Sequence, residues 1–283
     1  MKKFREGFMQ VLFMLSALVS IIAVALICIF LFANGVPAIR EIGLADFLTG
    51  TSWKPEQNIY GILPMIIGSI YVTAGAMLIG VPIGILTALF LVHFCPAGLY
   101  RFLKPAVDLL AGIPSIVYGF FGLTVIVPAI RNGLGGSGSS MLAASVVLGI
   151  MILPTIINVS ESAIRAVPES YYEGSLALGA SHERSVFFTV LPAAKSGVFA
   201  AVILGMGRAV GETMAVIMVA GNQTAMPGGP LQGLRTLTAN IVLEMAYAAD
   251  LHRGALIATA VVLFVFILII NLSFSLLKRR AKL

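Results

Sequence analysis

Arg208 and Glu212 are the residues of this chain whose type and placement could do chemistry. They stand four apart in Gly205-Met-Gly-Arg-Ala-Val-Gly-Glu-Thr-Met-Ala-Val216, so on a helix they would share one face. Everything around them is small or apolar. An arginine at the centre of a bilayer costs about 2.5–3.5 kcal/mol on insertion scales, so such a residue faces a partner or a watery path. A guanidinium fork matches the oxygens of an oxyanion. One reading is therefore an anion pathway. Arg208 meets the passing ion, Glu212 holds the arginine and keeps the anion from binding too tightly, and Gly205, Gly207 and Gly211 keep the surface open. The plainer reading is an ion pair internal to one helix, which only sets the rotation of that helix.

The other reactive side chains suggest no second site. His93, His182 and His252 lie far apart with no ligand spacing, so neither a metal nor a cofactor is expected. Cys28 and Cys95 sit inside or at the edge of apolar segments and read as packing residues. Residues 132–140, Asn-Gly-Leu-Gly-Gly-Ser-Gly-Ser-Ser, have the glycines of a phosphate loop but no lysine, and read as a flexible turn. The chain has no Gly-Lys pair at all, so a Walker A motif is excluded. A membrane enzyme would need a nucleophile, base or metal cluster at one depth, and none is visible.

The elements that must position Arg208 are membrane spans. Of 283 residues, 59% are hydrophobic and 11% charged, with a mean hydropathy of +1.03. Soluble domains are about 45–50% apolar and about 25% charged. A span needs about 20 mostly apolar residues. Six stretches qualify, at roughly 9–33, 65–93, 107–130, 141–162, 194–221 and 254–277, which predicts an all-α polytopic bundle. The first follows Met1-Lys-Lys-Phe-Arg5 in the manner of a signal peptide, but it is too long for one and reads as a retained span. Gly80-x-x-x-Gly84 and Gly207-x-x-x-Gly211 are spaced to let helices approach closely.

The net charge of +6 does not indicate nucleic acid, because the cations form no patch beside aromatics. They follow topology instead. With a cytoplasmic N-terminus, the inner segments hold Lys2, Lys3, Arg5, Arg101, Lys104, Arg165, Arg184, Lys195, Lys278, Arg279, Arg280 and Lys282. The outer ones hold only Arg40, Lys54, Arg131, Arg235 and Arg253. This bias puts both ends in the cytoplasm. Residues 1–64 form a first span and outer loop, and 65–283 a core domain. Trp53 in the outer loop reads as an interfacial aromatic, and Asp108 and Glu161, at the inner ends of the third and fourth spans, as interfacial acids.

The inner loop at 163–193 is the most informative connection. Pro168 and Glu169 suit the first turn of a short helix, and Gly179 suits its stop. Ser181 suits the N-cap of a second helix, ended by Pro192. Tyr172 with Leu176, and Phe187 with Val190 and Leu191, give each helix a small apolar face. Two such stubs bury little alone and suit a groove on a partner.

Glu173, Gly179 six positions on, and Leu191-Pro192 resemble the "EAA" loop of ABC-importer permeases. Gly174 and Ser175 replace the two alanines of that pattern, and Thr189 replaces an aliphatic residue. Leu110-Ala-Gly-Ile-Pro-Ser-Ile-Val-Tyr-Gly-Phe-Phe-Gly-Leu123 resembles the third span of phosphate-specific permeases. Residues 205–216, with Met218-Val-Ala-Gly-Asn222, resemble their fifth, and Tyr60-Gly-Ile-Leu-Pro-Met65 fits ahead of the second. Glu212-Thr-Met-Ala is similar to the PstC-type subunit more than to the PstA-type. The resemblance implies a type I ABC permease of the inner membrane that imports inorganic phosphate. It implies Glu173, Gly179, Leu191 and Pro192 as the handle for cytoplasmic ATP-binding subunits. It further implies a second, PstA-type permease and an extracytoplasmic phosphate-binding protein as partners. A sulfate or molybdate permease is the alternative within this class. An ion-coupled secondary transporter would call for more intramembrane carboxylates and paired repeats.

Overall fold

The structure, a computed structural model, describes residues 2–280, with side chains for 8–273 and 276. The inner cations Lys2, Lys3, Arg5, Lys278, Arg279, Arg280 and Lys282 lie outside the described side chains. The chain is all-α apart from one small hairpin. In order it forms α1 (Lys2–Ile42), α2 (Leu44–Thr49), β1 (Trp53–Lys54), β2 (Ile59–Tyr60), α3 (Leu63–Phe94), α4 (Ala97–Gly112), α5 (Ser115–Leu134) and α6 (Met141–Arg165). Then follow α7 (Glu169–Ala177), α8 (His182–Ala193), α9 (Lys195–Gly211), α10 (Met214–Val219), α11 (Leu237–Glu244) and α12 (Asp250–Arg280).

Five helices are long and apolar enough to cross a membrane: Phe8–Ile42 of α1, then α3, α5, α6 and Asp250–Ser273 of α12. A sixth span exists if α8 and α9, which meet at 71°, are taken together. Two boundaries differ from the sequence reading. The first span runs on to Ile42, so the outer loop expected at 34–64 shrinks to α2 and the hairpin. The third begins at Ser115 rather than 107, because Ile113 and Pro114 are extended, with ψ of 127 and 140. Proline has no N–H to donate and drives the residue before it out of the helical region. Asp108 therefore belongs to the separate helix α4 and does not open a span.

Proline also explains three irregular turns. Stretches of π-helix at Phe90–Phe94, Gly122–Ile126 and Val186–Val190 each end two residues before a proline, Pro96, Pro128 and Pro192 respectively. A proline removes one helical hydrogen bond and crowds the preceding turn, and a widened turn relieves both.

α6 forms the centre of the bundle, with Leu148, Met151, Ile152 and Ile156 fully buried. α3 crosses it through glycines. A Cβ at Gly80 would stand 2.7 Å from the Ile152 side chain and 2.9 Å from the Gly149 carbonyl oxygen, and one at Gly84 2.7 Å from Ile156. Gly80-x-x-x-Gly84 is thus a contact surface, as its spacing indicates. Gly207 and Gly211 have no atom within 4 Å of a built Cβ, so the second motif makes no helix contact among the described residues. α1 packs along α12, where Gly35 faces Ala258 and Val261.

A buried polar cluster closes the end of the bundle opposite the 163–193 loop. Glu244, at the end of α11, is 6% exposed. It accepts hydrogen bonds from Trp53 Nε1 (2.8 Å) and from Arg235, and meets His252 Nε2 at 2.9 Å. Trp53 is 5% exposed, so it is a core residue, not the interfacial aromatic its sequence context suggests. Burial pushes the Glu244 carboxyl up, but the bonds from Trp53, Arg235 and His252 outweigh burial and hold it below its ordinary range.

Two outcomes follow from this packing. Gly80→Leu should lower the melting temperature of the detergent-solubilised protein, by about 1–3 kcal/mol of overpacking, whereas Gly207→Ala should leave it unchanged. A larger loss at Gly207 would contradict the described packing. Glu244→Gln should cost on the order of 3 kcal/mol at pH 7, because Arg235 stays buried without its counter-charge. A depressed carboxyl stabilises the fold above its unfolded value of about 4.3 and ceases to do so as pH falls through the folded one. The gap between wild type and Glu244→Gln should therefore close as the pH of a thermal-melt series drops below about 4.

Candidate functional site

The span that carries Arg208 is broken. α9 ends at Gly211, Glu212 is extended (φ −70, ψ 135), and α10 starts only at Met214. Arg208 and Glu212 consequently do not share the face of one continuous helix, and among the described residues they form no ion pair. This corrects the expectation that Glu212 holds Arg208. The reason is local. The Glu212 carboxylate turns back to cap the next helix, accepting from the Ala215 N–H at 3.0 Å. Its carbonyl accepts from Thr238 Oγ1 at 3.0 Å, and its N–H donates to Ala209. These bonds satisfy backbone groups that lipid could not.

Arg208 reaches across to α6 instead and donates to Thr155 Oγ1 at 3.1 Å. That bond uses one guanidinium donor of five. Among the described residues no carboxylate pairs with it. The surface next to it is open at Gly207 and Gly211. Gly205 differs, because a Cβ there would stand 2.9 Å from Ile156, which makes it a packing residue and not part of the open surface. Ser69, Thr73, Glu212 and Thr236 line a narrow crevice at the break. The geometry sets a half-buried guanidinium beside an open face at a helix discontinuity, which suits transient contact with an anion.

The 163–193 segment forms two short helices around an elbow. Gly179 has φ +86, a conformation that suits glycine, and its N–H donates to the Leu176 carbonyl while that of Ala180 donates to Ser175. The Ser181 hydroxyl caps α8, accepting from the Arg184 N–H. Pro192 does not end α8. The helix passes through it to Ala193 and bends at Ala194, since the π turn before Pro192 has already absorbed its steric demand. Glu173, Gly179 and Pro192 are exposed, whereas Leu191 packs into the base of the loop beside Val167 and Tyr172. Tyr172 bonds His182 Nδ1 at 2.6 Å and so ties the two helices. Leu176, given to an apolar face with Tyr172, is exposed, as is Phe187. Two of the departures from the loop pattern answer each other: Thr189 Oγ1 and Ser185 Oγ both donate to Ser175 Oγ.

Sequence reasoning underrated a third charged group. Glu161 was expected at an interface but is 4% exposed. Its Oε1 accepts from Tyr100 (2.7 Å) and Arg165 Nε (3.0 Å), and its Oε2 faces Lys104 Nζ at 3.0 Å. Asp108 joins through Lys104 (3.3 Å) and Asn158 Nδ2 (2.9 Å). The only sequence signal was spacing, because Tyr100, Lys104 and Asp108 fall on one face of α4. What that face meets is set by tertiary contact.

Residues 80–283 match the family model described as "Binding-protein-dependent transport system inner membrane component". The chain is 41% identical over 266 residues to the probable ABC transporter permease protein YqgH of Bacillus subtilis, covering 90% of this chain and 86% of that protein. It is 34% identical over 276 residues to the phosphate transport system permease protein PstC of Mesorhizobium japonicum, covering 90% and 84%. Among solved structures, the MetNI methionine ABC transporter in an inward-facing form shares the fold at TM-score 0.61 and 20% identity, over 81% of this chain and 99% of that one. A bacterial alginate ABC transporter in complex with a pentasaccharide-bound periplasmic protein does so at TM-score 0.65 and 16% identity, over 95% and 94%. A multi-pass helical bundle with a broken span and a two-helix loop, the chain belongs to the family of binding-protein-dependent transport system inner membrane components.

Proposed function

We propose that this chain is the PstC-type permease subunit of an ATP-driven importer of inorganic phosphate. It forms half of the translocation pathway, and a second, PstA-type permease forms the other half. The observation that carries the anion reading is Arg208, set at a helix break beside open glycines with no carboxylate paired to it among the described residues. Relatives named as phosphate transport permeases, at 33–34% identity over about nine-tenths of the chain, favour phosphate over sulfate or molybdate.

In this reading Arg208 gives the dehydrated anion a brief two-pronged contact. Glu212 stands close by as a fixed negative group that limits how tightly the anion can settle. Discontinuous spans in transporters place charged and polar groups at the pathway in this way. The loop at 163–193 faces the cytoplasm, as do both termini, and residues 1–64 add a span and outer hairpin to the 65–283 core. Exposed Glu173, Gly179 and Pro192, with Leu191 bracing them from behind, seat the loop on separate ATP-binding subunits. Phosphate arrives from an extracytoplasmic phosphate-binding protein. Opening and closing of the ATPase pair rocks the two permeases between access states.

Uptake of radiolabelled phosphate in cells lacking the chain, with and without its return, tests the reading, with sulfate uptake as control. Loss and rescue of sulfate uptake alone would move the substrate to another oxyanion. Arg208→Gln should lower phosphate uptake about tenfold or more, equivalent to at least one charge-assisted hydrogen bond, with the complex still assembled. Full-rate uptake by that variant would remove Arg208 from the pathway. Gly179→Val forces a β-branched residue into positive φ. It should weaken co-purification of the ATP-binding subunits while leaving the variant in the membrane.

A further inference from the structure

We propose that Glu161 is a positioning residue for transport, linking movement of the 163–193 loop, through Tyr100, Lys104 and Tyr118, to the helix break beside Arg208. This rests on the reading of the chain as an importer's permease subunit.

Glu161 is a buried acid for which the anion pathway has no use. Glu161 lies one turn before the end of α6, and its partner Arg165 is the last residue of that helix, four residues before α7 begins. Movement of the α7 end of the loop reaches α6 through Arg165. From Glu161 the contacts pass to α4 through Tyr100 and Lys104, and the Arg165 guanidinium also lies 5.1 Å over the Tyr100 ring. Lys104 is held in register by Asn158 Oδ1 at 2.8 Å.

α4 is built as a strut. Val107 is its only buried residue, while Leu99, Phe102 and Leu109 are exposed. It is held at one end by the Glu161 cluster and a small apolar contact with Leu91 and Ile157. At the other end the Tyr118 hydroxyl donates to the Leu110 carbonyl at 2.7 Å, across the break at Pro114. Tyr118 is 6% exposed. The next residue, Gly119, meets α10 so closely that a Cβ would stand 2.9 Å from Ala215 Cα. Ala215 is the residue whose N–H the Glu212 carboxylate caps.

A chain of stiff elements, joined by short polar contacts and by the close Gly119–Ala215 approach, thus runs from the loop to the α10 side of the helix break. Packed elements of this kind shift between discrete arrangements and do not deform continuously. A buried carboxylate bonded by Tyr100 and Arg165 and ion-paired with Lys104 suits the joint, because it loses Tyr100 and Lys104 if α4 and α6 separate. Such a network transmits only if its members are energetically coupled, which double-mutant analysis measures.

The test uses the complete transporter, this chain with its partner permease and ATP-binding subunits, reconstituted in proteoliposomes with the phosphate-binding protein. Inorganic phosphate uptake and ATP hydrolysis are read from the same vesicles. Glu161→Gln and Tyr118→Phe should each assemble and hydrolyse ATP, but move about fivefold less phosphate per ATP. The double variant should be no worse than the poorer single, as expected for two links of one path. An unchanged phosphate-to-ATP ratio in either assembled variant, or losses that multiply in the double, would overturn the proposal. If Glu161→Gln does not assemble, Tyr118→Phe, which removes one hydroxyl, decides the matter by the same ratio. A wild-type complex that hydrolyses ATP without carrying phosphate sinks the importer reading and this inference together. Coupled wild-type transport with unchanged variants sinks the inference alone.

Discussion

Lipid offers no hydrogen bonds, so a spanning helix that breaks must find partners for its freed backbone groups within the chain. That constraint organises this molecule. At Glu212 the freed groups are met by the Glu212 side chain itself and by Thr238. At the start of α6, the N–H groups of Ser140, Met141 and Leu142 donate to the carbonyls of Val219, Gln232 and Pro230. The Leu237 N–H at the head of α11 donates to Ser69 Oγ on α3. The segment from 220 to 244 is therefore not a loose connection between spans. It supplies the partners of the interrupted helix.

The same accounting separates the three interior acids. Glu212 serves the backbone, as a cap. Glu244 serves three side chains and ties the hairpin, α11 and the start of α12 into one end of the bundle. Glu161 serves two helices, α4 and α6, at the opposite end. None of the three pairs with Arg208. The charge that looks most expensive in the sequence is left available, while the acids that could have neutralised it are engaged elsewhere. A structural ion pair would have spent Arg208 on helix rotation, whereas a pathway residue has to stay open to its ion.

The two-helix loop shows how local departures from a pattern are absorbed. Ser175 and Thr189 look like defects when each is read alone. Folded, they hydrogen-bond across the elbow and replace an apolar contact with a polar one. Proline acts in the same local way at Pro96, Pro128 and Pro192, each preceded by a widened turn. Pro114 stops α4, and there the Tyr118 hydroxyl bridges the gap.

The sequence by itself determined the solvent, the helical class and the elbow at Gly179. Composition, capping residues and positive-φ glycine act over a few residues and need no distant contact. It also marked Arg208, since a lone cation in an apolar run is visible without a fold. Only tertiary structure decided what faces what. The spacing of Arg208 and Glu212 promised a shared face, but the helix stops between them because Glu212 gains more by capping Ala215 and receiving Thr238 from 26 residues away. Trp53 and Glu244 are 191 residues apart and Tyr100 and Glu161 are 61 apart, so neither pair leaves a periodic signal. Trp53 and Glu161, read from sequence as interfacial, are buried, and burial is a property of the packed bundle that no single segment carries.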